Sequence, residues 1–512
     1  MYFYYNVTML TSSDFYKKIF SCKVYKISID AACTCPNRDG SKAYGGCIFC
    51  SERGSGDFAS GPSLSVQEQI KAGKALVEKK LKGRSGKREG KYLAYFQNFT
   101  STYGDLNNLV KKYREVLACP GVAGLCIATR PDCLGEDILQ QIAELSKNHF
   151  VQLELGLQTA SEDTGKFINR CYSNEDYQDA VKRIKKAAPS VHIVSHLIFG
   201  LPGEDSSDMM KSLDFVVKTN TAFKDYFGLK ITVLYILQNT RLAALYGEGK
   251  YKPLSKEEYY SLIKAALERL PEECVLHRLT GDPPKNLLIE PEWTKDKKKV
   301  MNEIEKIRKL YLLPLKPFNM ENLPQIVNLV EDMWSPSSGD RAFRRLYVEY
   351  VVRHNISENE YHFELAGKSG LVSAAFFTRK GDLCKVDEWF KDKIASYSDY
   401  SDYSDELKEV AQAGKIFLDY MDQKTLSYMK EDDIKLSLFV SLKKGAGSVI
   451  LNRICQLLKK QGWKNLYLWT DCECNWQWYF SHGFTLVEEE NYKPYEKDGP
   501  YKTYIFSKKL QD

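Results

Sequence analysis

Short runs of β-branched and aromatic residues alternate with longer helical stretches between about residues 20 and 290. The predicted strands are Val24–Ile29, Tyr92–Phe96, Leu125–Ala128, Val151–Leu155, His192–Phe199 and Lys230–Ile236. The predicted helices lie between them, for example Glu136–Lys147, Asn174–Ala188, Ser207–Thr219 and Lys256–Arg269. Alternation of strands and helices at this spacing predicts a parallel sheet or a partial barrel. In such folds the functional residues follow the carboxyl ends of the strands.

A second set of elements follows a charged helix predicted over Lys295–Lys309, after which Pro314 and Pro317 interrupt the chain. Its predicted elements are helices at Leu323–Met333 and Val449–Gln461, and strands at Phe363–Ala366, Leu371–Phe377, Lys435–Val440 and Asn465–Thr470. A threefold Tyr-Ser-Asp repeat at 397–405 is typical of a solvated insertion loop. We therefore expect an α/β fold with two domains, residues 1–310 and 311–512.

Composition and charge exclude several classes of protein. The chain has 512 residues, enough for two or three domains, and its 43% of hydrophobic residues is ordinary for a globular protein. Its 73 Lys and Arg against 67 Asp and Glu give a net charge of +6, which does not by itself indicate nucleic acid. No apolar run approaches the roughly 18–20 residues of a membrane span. Residues 1–11 contain no Lys or Arg, unlike a secretory signal, so we expect a cytoplasmic protein with no membrane partner.

The cysteines cluster near the start of the chain. Of fourteen, five lie at positions 22, 33, 35, 47 and 50. In a reducing compartment such a cluster favours metal ligation over disulfides, and thiolates suit either an iron–sulfur cluster or zinc. A zinc site with four ligands, Cys33, Cys35, Cys47 and Cys50, is one alternative. The other alternative is a metal site with three cysteine ligands. Such a site leaves one metal position open, which is the more useful arrangement for catalysis.

The cysteine segment resembles the cluster-binding loop of radical S-adenosylmethionine (SAM) enzymes of the YhcC/YtqA type. It reads Cys-Pro-Asn-Arg-Asp-Gly from Cys35, followed by Gly-Gly-Cys-Ile-Phe-Cys up to Cys50. The resemblance continues in the same order through Tyr95–Gln97, Thr129–Asp132, Glu154–Thr159, Ile168–Arg170, His196–Glu204 and His277–Pro283, and ends near Trp293.

This resemblance implies a set of cofactors and a chemistry. Cys35, Cys47 and Cys50 are expected to bind three irons of a [4Fe–4S] cluster, and the fourth iron is expected to bind SAM. Reductive cleavage of SAM then gives a 5′-deoxyadenosyl radical that abstracts hydrogen from an unactivated carbon. An electron donor such as flavodoxin or ferredoxin is an expected partner.

The same resemblance implies which residues contact SAM: Phe49, Gln97, Glu154, Gln158, His196, Gly200 and Gly203. Gly200 and Gly203 are expected to allow a close approach of backbone and adenine. Each assignment has a structural alternative. Phe49 could fill the core, Glu154 and Gln158 could make structural hydrogen bonds, and His196, like Arg170, could hold a loop.

The last third of the chain carries a second pattern. A strand over Ile434–Val440 leads into Lys-Lys-Gly-Ala-Gly-Ser at 443–448 and then a helix, an arrangement whose backbone amides can bind a pyrophosphate. Together with the Tyr-Phe-Ser-His-Gly-Phe segment at 479–484, this resembles the GNAT acetyltransferases. The resemblance implies that Lys444, Gly445, Ala446 and Gly447 contact acetyl-CoA and that Tyr479 is the acid near the leaving thiolate. A GNAT fold used only for binding is the alternative.

The order of the two halves suggests a substrate. A partial (β/α)6-type radical SAM barrel followed by an α/β GNAT-like domain resembles the layout of the Elongator catalytic subunit, which modifies wobble uridines of tRNA. Nine Lys and Arg between Lys71 and Lys91, against two Glu, are compatible with RNA binding but also with a solvated helix end. The alternatives are a bifunctional modifier of a small molecule or protein and a non-catalytic zinc-binding scaffold.

Overall fold

The computed structural model describes residues 10–54, 63–81, 90–336, 339–367, 370–397, 405–496 and 499–511. The chain divides into two compact units, Met9–Lys309 and Leu310–Asp512. Within the described ranges, no helix combines the length and the apolar character that crossing a membrane requires.

The first unit is built from ten strands and ten helices in the described residues. Its strands are β1 Leu10–Thr11, β2 Val24–Ile29, β3 Lys91–Phe96, β4 Val122–Thr129, β5 Phe150–Gln158, β6 His192–Phe199, β7 Phe227–Val233, β8 Ile236–Leu237, β9 Cys274–Arg278 and β10 Leu288–Glu290. Its helices are α1 Ser12–Phe20, α2 Val66–Leu81, α3 Leu106–Leu117, α4 Glu136–Ser146, α5 Glu162–Phe167, α6 Asn174–Ala187, α7 Ser206–Thr221, α8 Arg241–Gly247, α9 Lys256–Arg269 and α10 Lys297–Tyr311, which ends in the second unit.

Eight of these strands form one parallel sheet in the order β1-β9-β7-β6-β5-β4-β3-β2. The sheet curls into a partial barrel, because side chains from distant strands meet inside it. The Lys230 ammonium on β7 lies 3.3 Å from the Tyr95 hydroxyl on β3, four places away in the sheet. The expected α/β class with a partial barrel is therefore confirmed.

Helices pack against the strands of the sheet and, in the case of α1, against its amino-terminal end. Helices α6 and α7 begin with capping boxes. The side chains of Ser173 and Asp205 accept hydrogen bonds from the backbone amide of the third helical residue, whose own side chain accepts one from the capping residue's amide. At the amino end, Phe15 and Tyr16 of α1 pack with Leu93 and Val275 of the sheet. The carboxyl ends of the strands are left to the loops, which places the chemistry at that end.

The second unit is a mixed α/β sheet. Its strands are β11 Leu315–Pro317, β12 His362–Gly367, β13 Gly370–Arg379, β14 Asp433–Ser441, β15 Asn465–Asp471, β16 Thr485–Asn491 and β17 Lys502–Lys509, in the order β11-β12-β13-β14-β15-β17-β16. Its helices are α11 Leu323–Trp334, α12 Arg341–His354, α13 Val386–Tyr397, α14 Asp405–Tyr428, α15 Ala446–Lys460 and α16 Gln477–Ser481.

One strand pair sets the geometry of this second sheet. Strands β14 and β15 are parallel, whereas the other neighbours are antiparallel, and they pair only from Asp433–Asn465 to Lys435–Tyr467. Beyond these three positions β14 pairs with β13 alone and β15 with β17 alone. The two strands therefore separate toward their carboxyl ends, next to the loop that begins α15.

Candidate active site

The cysteine loop follows the carboxyl end of β2, as expected for a site at the mouth of a parallel barrel. Two of its thiols are adjacent: the Cys50 amide donates to the Cys47 carbonyl at 3.0 Å. A hydrogen bond with the Cys50 thiol, together with burial and the charges of Cys50 and Cys35, raises the pKa of Cys47 well above its usual value. The structure thus brings Cys35, Cys47 and Cys50 into one neighbourhood.

Two asparagines hold this loop against the turn after α5. The Asn37 side-chain amide donates to the Asn169 carbonyl at 2.5 Å and lies 3.9 Å from the Cys47 sulfur. In return, the Asn169 side chain donates to the Gly46 carbonyl at 2.8 Å. Asn169 has a positive φ of 58°, a conformation that asparagine tolerates better than most residues. These bonds fix the backbone just before Cys47, and the Ile48 amide, which donates to the Ile168 carbonyl at 3.2 Å, fixes it just after.

A basic side chain lies beside the first cysteine. Arg130, which follows β4, approaches the Cys35 sulfur with Nη1 at 3.8 Å and makes a bidentate ion pair with Asp132 at 2.8 and 2.9 Å. The Lys42 ammonium contacts the same Asp132 carboxylate at 2.6 Å. The guanidinium also lies over the Tyr172 ring, with 4.8 Å to the centroid. Arg130 is therefore oriented so that an N–H group points at a cysteine sulfur.

Cys33 has different neighbours from the other three cysteines of the loop. The charges that act on its thiol come from Lys112 and Asp30, and burial raises its pKa to about 11. Lys112 belongs to α3 and donates to the Ala31 carbonyl. Cys33 thus lies toward α3.

These residues fit a cluster held by three thiolates. In the described part of the chain, no three His, Cys, Asp or Glu side chains converge to hold one metal ion. A [4Fe–4S] cluster makes a different demand, because each cysteine binds its own iron. The donors aimed at sulfur, from Asn37 to Cys47 and from Arg130 to Cys35, are those that stabilise ligated thiolates.

Two predicted SAM contacts lie close to the cysteine loop. Phe49 packs against the apolar cluster that contains Ile198 and Leu201, which flank Gly200. Gly200 has a φ of +88°, and a Cβ there would lie 2.9 Å from Leu254, so its lack of a side chain also has a structural cause. At Gly203, with a φ of +85°, a Cβ would meet nothing within 4 Å, so the space beside it is open.

Gln97 and Gln158 each end a strand. Gln97 follows β3 and accepts a hydrogen bond from the Ser28 hydroxyl at 3.0 Å. Gln158 closes β5 with a φ of +65°, and its Oε1 accepts from the Tyr172 hydroxyl at 3.0 Å. Both lie at the carboxyl end of the sheet, where a cofactor is expected. Tyr172 connects this region to Arg130, whose guanidinium lies over its ring.

Glu154 lies deeper, inside the barrel, and its carboxylate accepts four hydrogen bonds. Oε1 accepts from Lys26 at 2.7 Å and from Gln152 at 2.8 Å, while Oε2 accepts from Tyr95 at 2.6 Å and from Lys230. Burial alone would raise the pKa of Glu154, but Lys230 and Lys26 outweigh it and hold it well below the usual value. A carboxylate has about four acceptor positions, so this geometry favours the structural hydrogen bonds.

His196 shares this interior. Its Nε2 lies 3.1 Å from the Thr232 hydroxyl, and in the sheet it stands beside Lys230. Burial, with a further contribution from Lys230, lowers the pKa of His196 to about 4, so the ring is neutral near pH 7.

Arg170 holds a loop. Its side chain is 1% exposed, and its guanidinium donates to the carbonyls of Leu157, Thr159 and Tyr172 and pairs with Glu162 at 3.0 Å. These bonds tie the end of β5 to the turn that carries Asn169. Arg170 therefore supports the cysteine loop indirectly.

In the second unit, the loop Lys444–Gly447 leads into α15 beside the separating strands. Lys444 and Gly445 are exposed, whereas Ala446 and Gly447 are buried. Gly445 has a φ of +85°, and no side chain caps the helix start. The Ala446 amide donates to the Lys443 carbonyl at 3.0 Å, so the next amides of the first turn, those of Gly447 and Ser448, are the ones that would bind an anion. A Cβ on Gly447 would lie 3.3 Å from Phe439, so this turn is closely packed.

Tyr479 lies on α16, which packs against the start of α15. Trp478 of α16 packs against Phe439 of β14, with 5.6 Å between the ring centroids, and His482, which follows α16, has its Nε2 2.8 Å from the Ser448 hydroxyl of α15. Tyr479 itself packs between Phe484 and Phe506. Burial raises its pKa above the usual value, so the phenol stays protonated. The contacts that join this segment to β14 and α15 are those of Trp478 and His482, which lie on either side of Tyr479 along the chain.

The sequence analysis assigned no role to Asn37, Asn169, Arg130 or Asp132. All four lie in segments quoted there for the family resemblance. Their membership of those segments was the signal from which a role could have been predicted. Their function depends on contacts between segments more than ninety residues apart, as for Arg130 and Cys35.

Comparisons with known proteins agree with this geometry. The sequence model of the Radical SAM superfamily matches residues 35–216, and that of the Radical_SAM C-terminal domain matches residues 227–309. YtqA of Bacillus subtilis, described as uncharacterized, is 40% identical over 287 residues, which are 56% of this chain and 85% of that protein. The chain belongs to the radical SAM superfamily. Membership of this superfamily implies that the enzyme uses SAM and a [4Fe–4S] cluster.

The chain is also similar to an archaeal tRNA acetyltransferase and to the solved structure of an archaeal Elp3. The tRNA uridine(34) acetyltransferase of Methanocaldococcus jannaschii is 30% identical over 166 residues, 32% of this chain and 29% of that protein. The solved structure of Elp3 from Methanocaldococcus infernus, with an N-terminal deletion, superposes with a TM-score of 0.41 and 14% identity and covers 95% of this chain and 99% of that one.

Proposed function

We propose that this radical SAM enzyme modifies uridine at the wobble position of tRNA, and that its second unit is a GNAT-like domain that binds acetyl-CoA. The observation that carries the proposal is the cysteine loop at the mouth of the parallel barrel, with the thiols of Cys35, Cys47 and Cys50 in one neighbourhood. The boundary between the two proposed domains falls near residue 310.

In this proposal Cys35, Cys47 and Cys50 bind the [4Fe–4S] cluster. When bound and reduced, the cluster supplies the electron that cleaves SAM to a 5′-deoxyadenosyl radical. The chain's own residues position the reaction: Asn37, Asn169 and Arg170 fix the loop, and Arg130 donates to the Cys35 sulfur. Phe49, Gln97, Gln158 and the Gly200–Gly203 turn border the place for SAM. An electron donor such as flavodoxin or ferredoxin provides the electron from outside.

The choice of tRNA rests on similarity and charge. The relative from Methanocaldococcus jannaschii is named for acetylation of uridine 34 of tRNA, and the shared segment lies within a chain that also carries a second α/β unit. The basic stretch between Lys71 and Lys91 is compatible with a phosphate backbone. Residues 82–89 of that stretch lie outside the described residues, and Lys74 contacts the Tyr92 ring of the barrel.

The second unit supports acetyl-CoA binding through three features. Strands β14 and β15 separate after three paired positions, α15 begins after β14 without a side-chain cap, and α16, which carries Tyr479, contacts β14 through Trp478. Helix amides with a Gly-rich turn suit a pyrophosphate. Tyr479, held protonated, is then the acid for the leaving thiolate.

The test is the nucleoside content of tRNA. Total tRNA from a strain lacking this gene is incubated anaerobically with the reconstituted protein, SAM, acetyl-CoA and dithionite, and digested for mass spectrometry. The proposal predicts one altered uridine derivative that depends on Cys47. If the protein neither binds tRNA nor alters any nucleoside, the assignment of tRNA is wrong.

A bifunctional enzyme that acts on a small molecule or protein is the second candidate, favoured by the compactness of the unit 310–512. In that case, the full chain purified without iron should still acetylate a free amine when supplied with acetyl-CoA alone. The tRNA proposal predicts that acetyl transfer instead requires tRNA.

A further inference from the structure

Two ammonium groups and one carboxylate meet inside the barrel, and an exposed guanidinium lies near them. Lys26 on β2 and Lys230 on β7 both contact the carboxylate of Glu154, which is 5% exposed. Arg278, the last residue of β9, is close enough for its charge to act on Lys230. Burial lowers the pKa of Lys230 to about 8, and the charges of Lys26 and Arg278 act in the same direction. Glu154 acts in the opposite direction and raises it. This group of charges carries an excess of positive charge that Glu154 alone does not balance.

The sheet register places two of these cations side by side. Lys230 pairs with Arg278 across β7 and β9, and with His196 across β7 and β6, so the three residues form a row across the sheet in which Arg278 is the last residue of β9. Arg278 is exposed, and no hydrogen bond or ion pair of its guanidinium is seen within the described ranges. We call Lys230 and Arg278 the lumen cation pair.

The surroundings keep these cations in place without neutralising them. The Tyr95 ring lies 5.0 Å from the Lys230 ammonium and 5.1 Å from that of Lys26, so both gain a cation–π contact. Burying unbalanced charge costs free energy, and a barrel that needed only to be filled would be more stable with apolar side chains. The excess positive charge is explained if a negative group from outside enters the barrel.

We propose that the lumen cation pair binds an anionic group of the substrate, a carboxylate or a phosphate. The exposed guanidinium of Arg278 offers two parallel N–H donors to such a group, and Lys230 adds a second charge. The anchor lies below the mouth of the barrel, on β7 and β9, and β7 neighbours β6, which leads into the Gly200–Gly203 turn. This inference rests on the proposed function, since it assumes that the substrate enters this barrel, and it adds the chemical class of that substrate.

The test is a binding measurement that needs no turnover. The full chain is reconstituted with iron, sulfide and SAM, without reductant, and equilibrium dialysis measures the affinity for three probes. 5-Carboxymethyluridine carries a carboxylate, uridine 5′-monophosphate carries a phosphate, and uridine carries neither. We expect one anionic probe to bind at least about tenfold more tightly than uridine, because a charge-assisted bidentate contact contributes roughly 1.5–3 kcal/mol. The probe that gains affinity identifies the source of the charge.

Variants of Arg278 decide whether the gain comes from this site. Arg278→Gln should abolish the difference between the anionic probe and uridine, and Arg278→Lys should keep part of it. The matched control is Arg269→Gln, a surface arginine that pairs with Asp214 and should leave the affinity unchanged. Circular dichroism establishes that each variant is folded.

Two outcomes would overturn the inference: both anionic probes bind no more tightly than uridine, or the gain persists in Arg278→Gln. The same samples, reduced with dithionite, are then assayed for 5′-deoxyadenosine, which tests the radical chemistry separately. Anion binding without 5′-deoxyadenosine leaves the anion site standing and contradicts the proposed reaction. Formation of 5′-deoxyadenosine without anion binding supports the radical reaction and contradicts the anion site.

Discussion

The Arg130 guanidinium lies 3.8 Å from the Cys35 sulfur while its other nitrogens pair with Asp132. The ion pair fixes the side chain, so that one N–H group faces a sulfur that we assign to the cluster. A hydrogen bond from a cation to a ligating sulfur stabilises the reduced, more negative state of a cluster. Arg130 is thus a positioning and tuning residue of the site.

Arg130→Gln should therefore lower the reduction potential of the reconstituted cluster by several tens of millivolts, because the reduced state loses a cationic donor. A redox titration followed by electron paramagnetic resonance measures this shift. Arg269→Gln, which breaks a half-exposed ion pair with Asp214 between α9 and α7, is the control and should keep the wild-type potential. An unchanged potential in Arg130→Gln, at full iron content, would contradict the role given to Arg130.

Glu154→Gln should destabilise the fold, because it leaves the ammonium groups of Lys26 and Lys230 without their carboxylate inside the barrel. Removing one partner of a buried ion pair costs about 3–5 kcal/mol of unfolding free energy. Urea denaturation of the full chain measures the loss. Asp214→Asn, which breaks a half-exposed pair with Arg269, should cost less than about 1 kcal/mol. Equal effects from the two substitutions would show that the Glu154 network contributes no more than a surface pair.

Glu204 should make stability depend on pH. Burial raises the pKa of this carboxyl to about 7, although Thr159 donates to Oε1, and Oε2 is buried without a hydrogen-bond partner. Because the folded-state pKa is raised, the contribution of the protonated form is complete below about pH 4.5 and is lost as the pH rises through 7. Relative to Glu204→Gln, the wild-type unfolding free energy should fall over that range by up to about 3 kcal/mol. Parallel curves for the two proteins would refute this assignment.

Tyr479→Phe should reduce acetyl transfer by about a hundredfold or more, since the leaving thiolate loses its acid, and leave acetyl-CoA binding unchanged. The measurements are release of the coenzyme A thiol in the presence of tRNA and binding of acetyl-CoA. Tyr467→Phe, on β15, is the matched control. If Tyr479→Phe transfers acetyl groups as fast as wild type, then Tyr479 is not the acid.

The strands of the barrel could be predicted well because buried parallel strands are continuous apolar runs. The bounds of Val24–Ile29 and His192–Phe199 agree with the structure, and the others differ by a few residues. Helices α12 and α14 were not predicted. The Tyr-Ser-Asp repeat precedes α14, and its residues 398–404 lie outside the described ranges.

The candidate site could be predicted only where neighbouring residues carry the signal. The cysteine loop and the glycines after β6 are local patterns, and the sequence shows them. The contacts of Glu154 with Lys26 and with Lys230 join residues that are 128 and 76 positions apart, respectively. They depend on the curvature of the sheet and on its register, which no local pattern encodes. For the same reason, the row formed by Lys230 and Arg278 is visible only in the folded barrel.

The central claim is that Cys35, Cys47 and Cys50 hold a cluster that supports reductive cleavage of SAM. The most direct test is anaerobic reconstitution with iron and sulfide, reduction by dithionite with SAM, and chromatography for 5′-deoxyadenosine. Wild type is compared with Cys47→Ala and with Cys33→Ala, whose thiol lies toward Lys112. The account predicts a brown protein that forms 5′-deoxyadenosine in wild type and Cys33→Ala but not in Cys47→Ala. A colourless protein that retains zinc and forms no 5′-deoxyadenosine would contradict it.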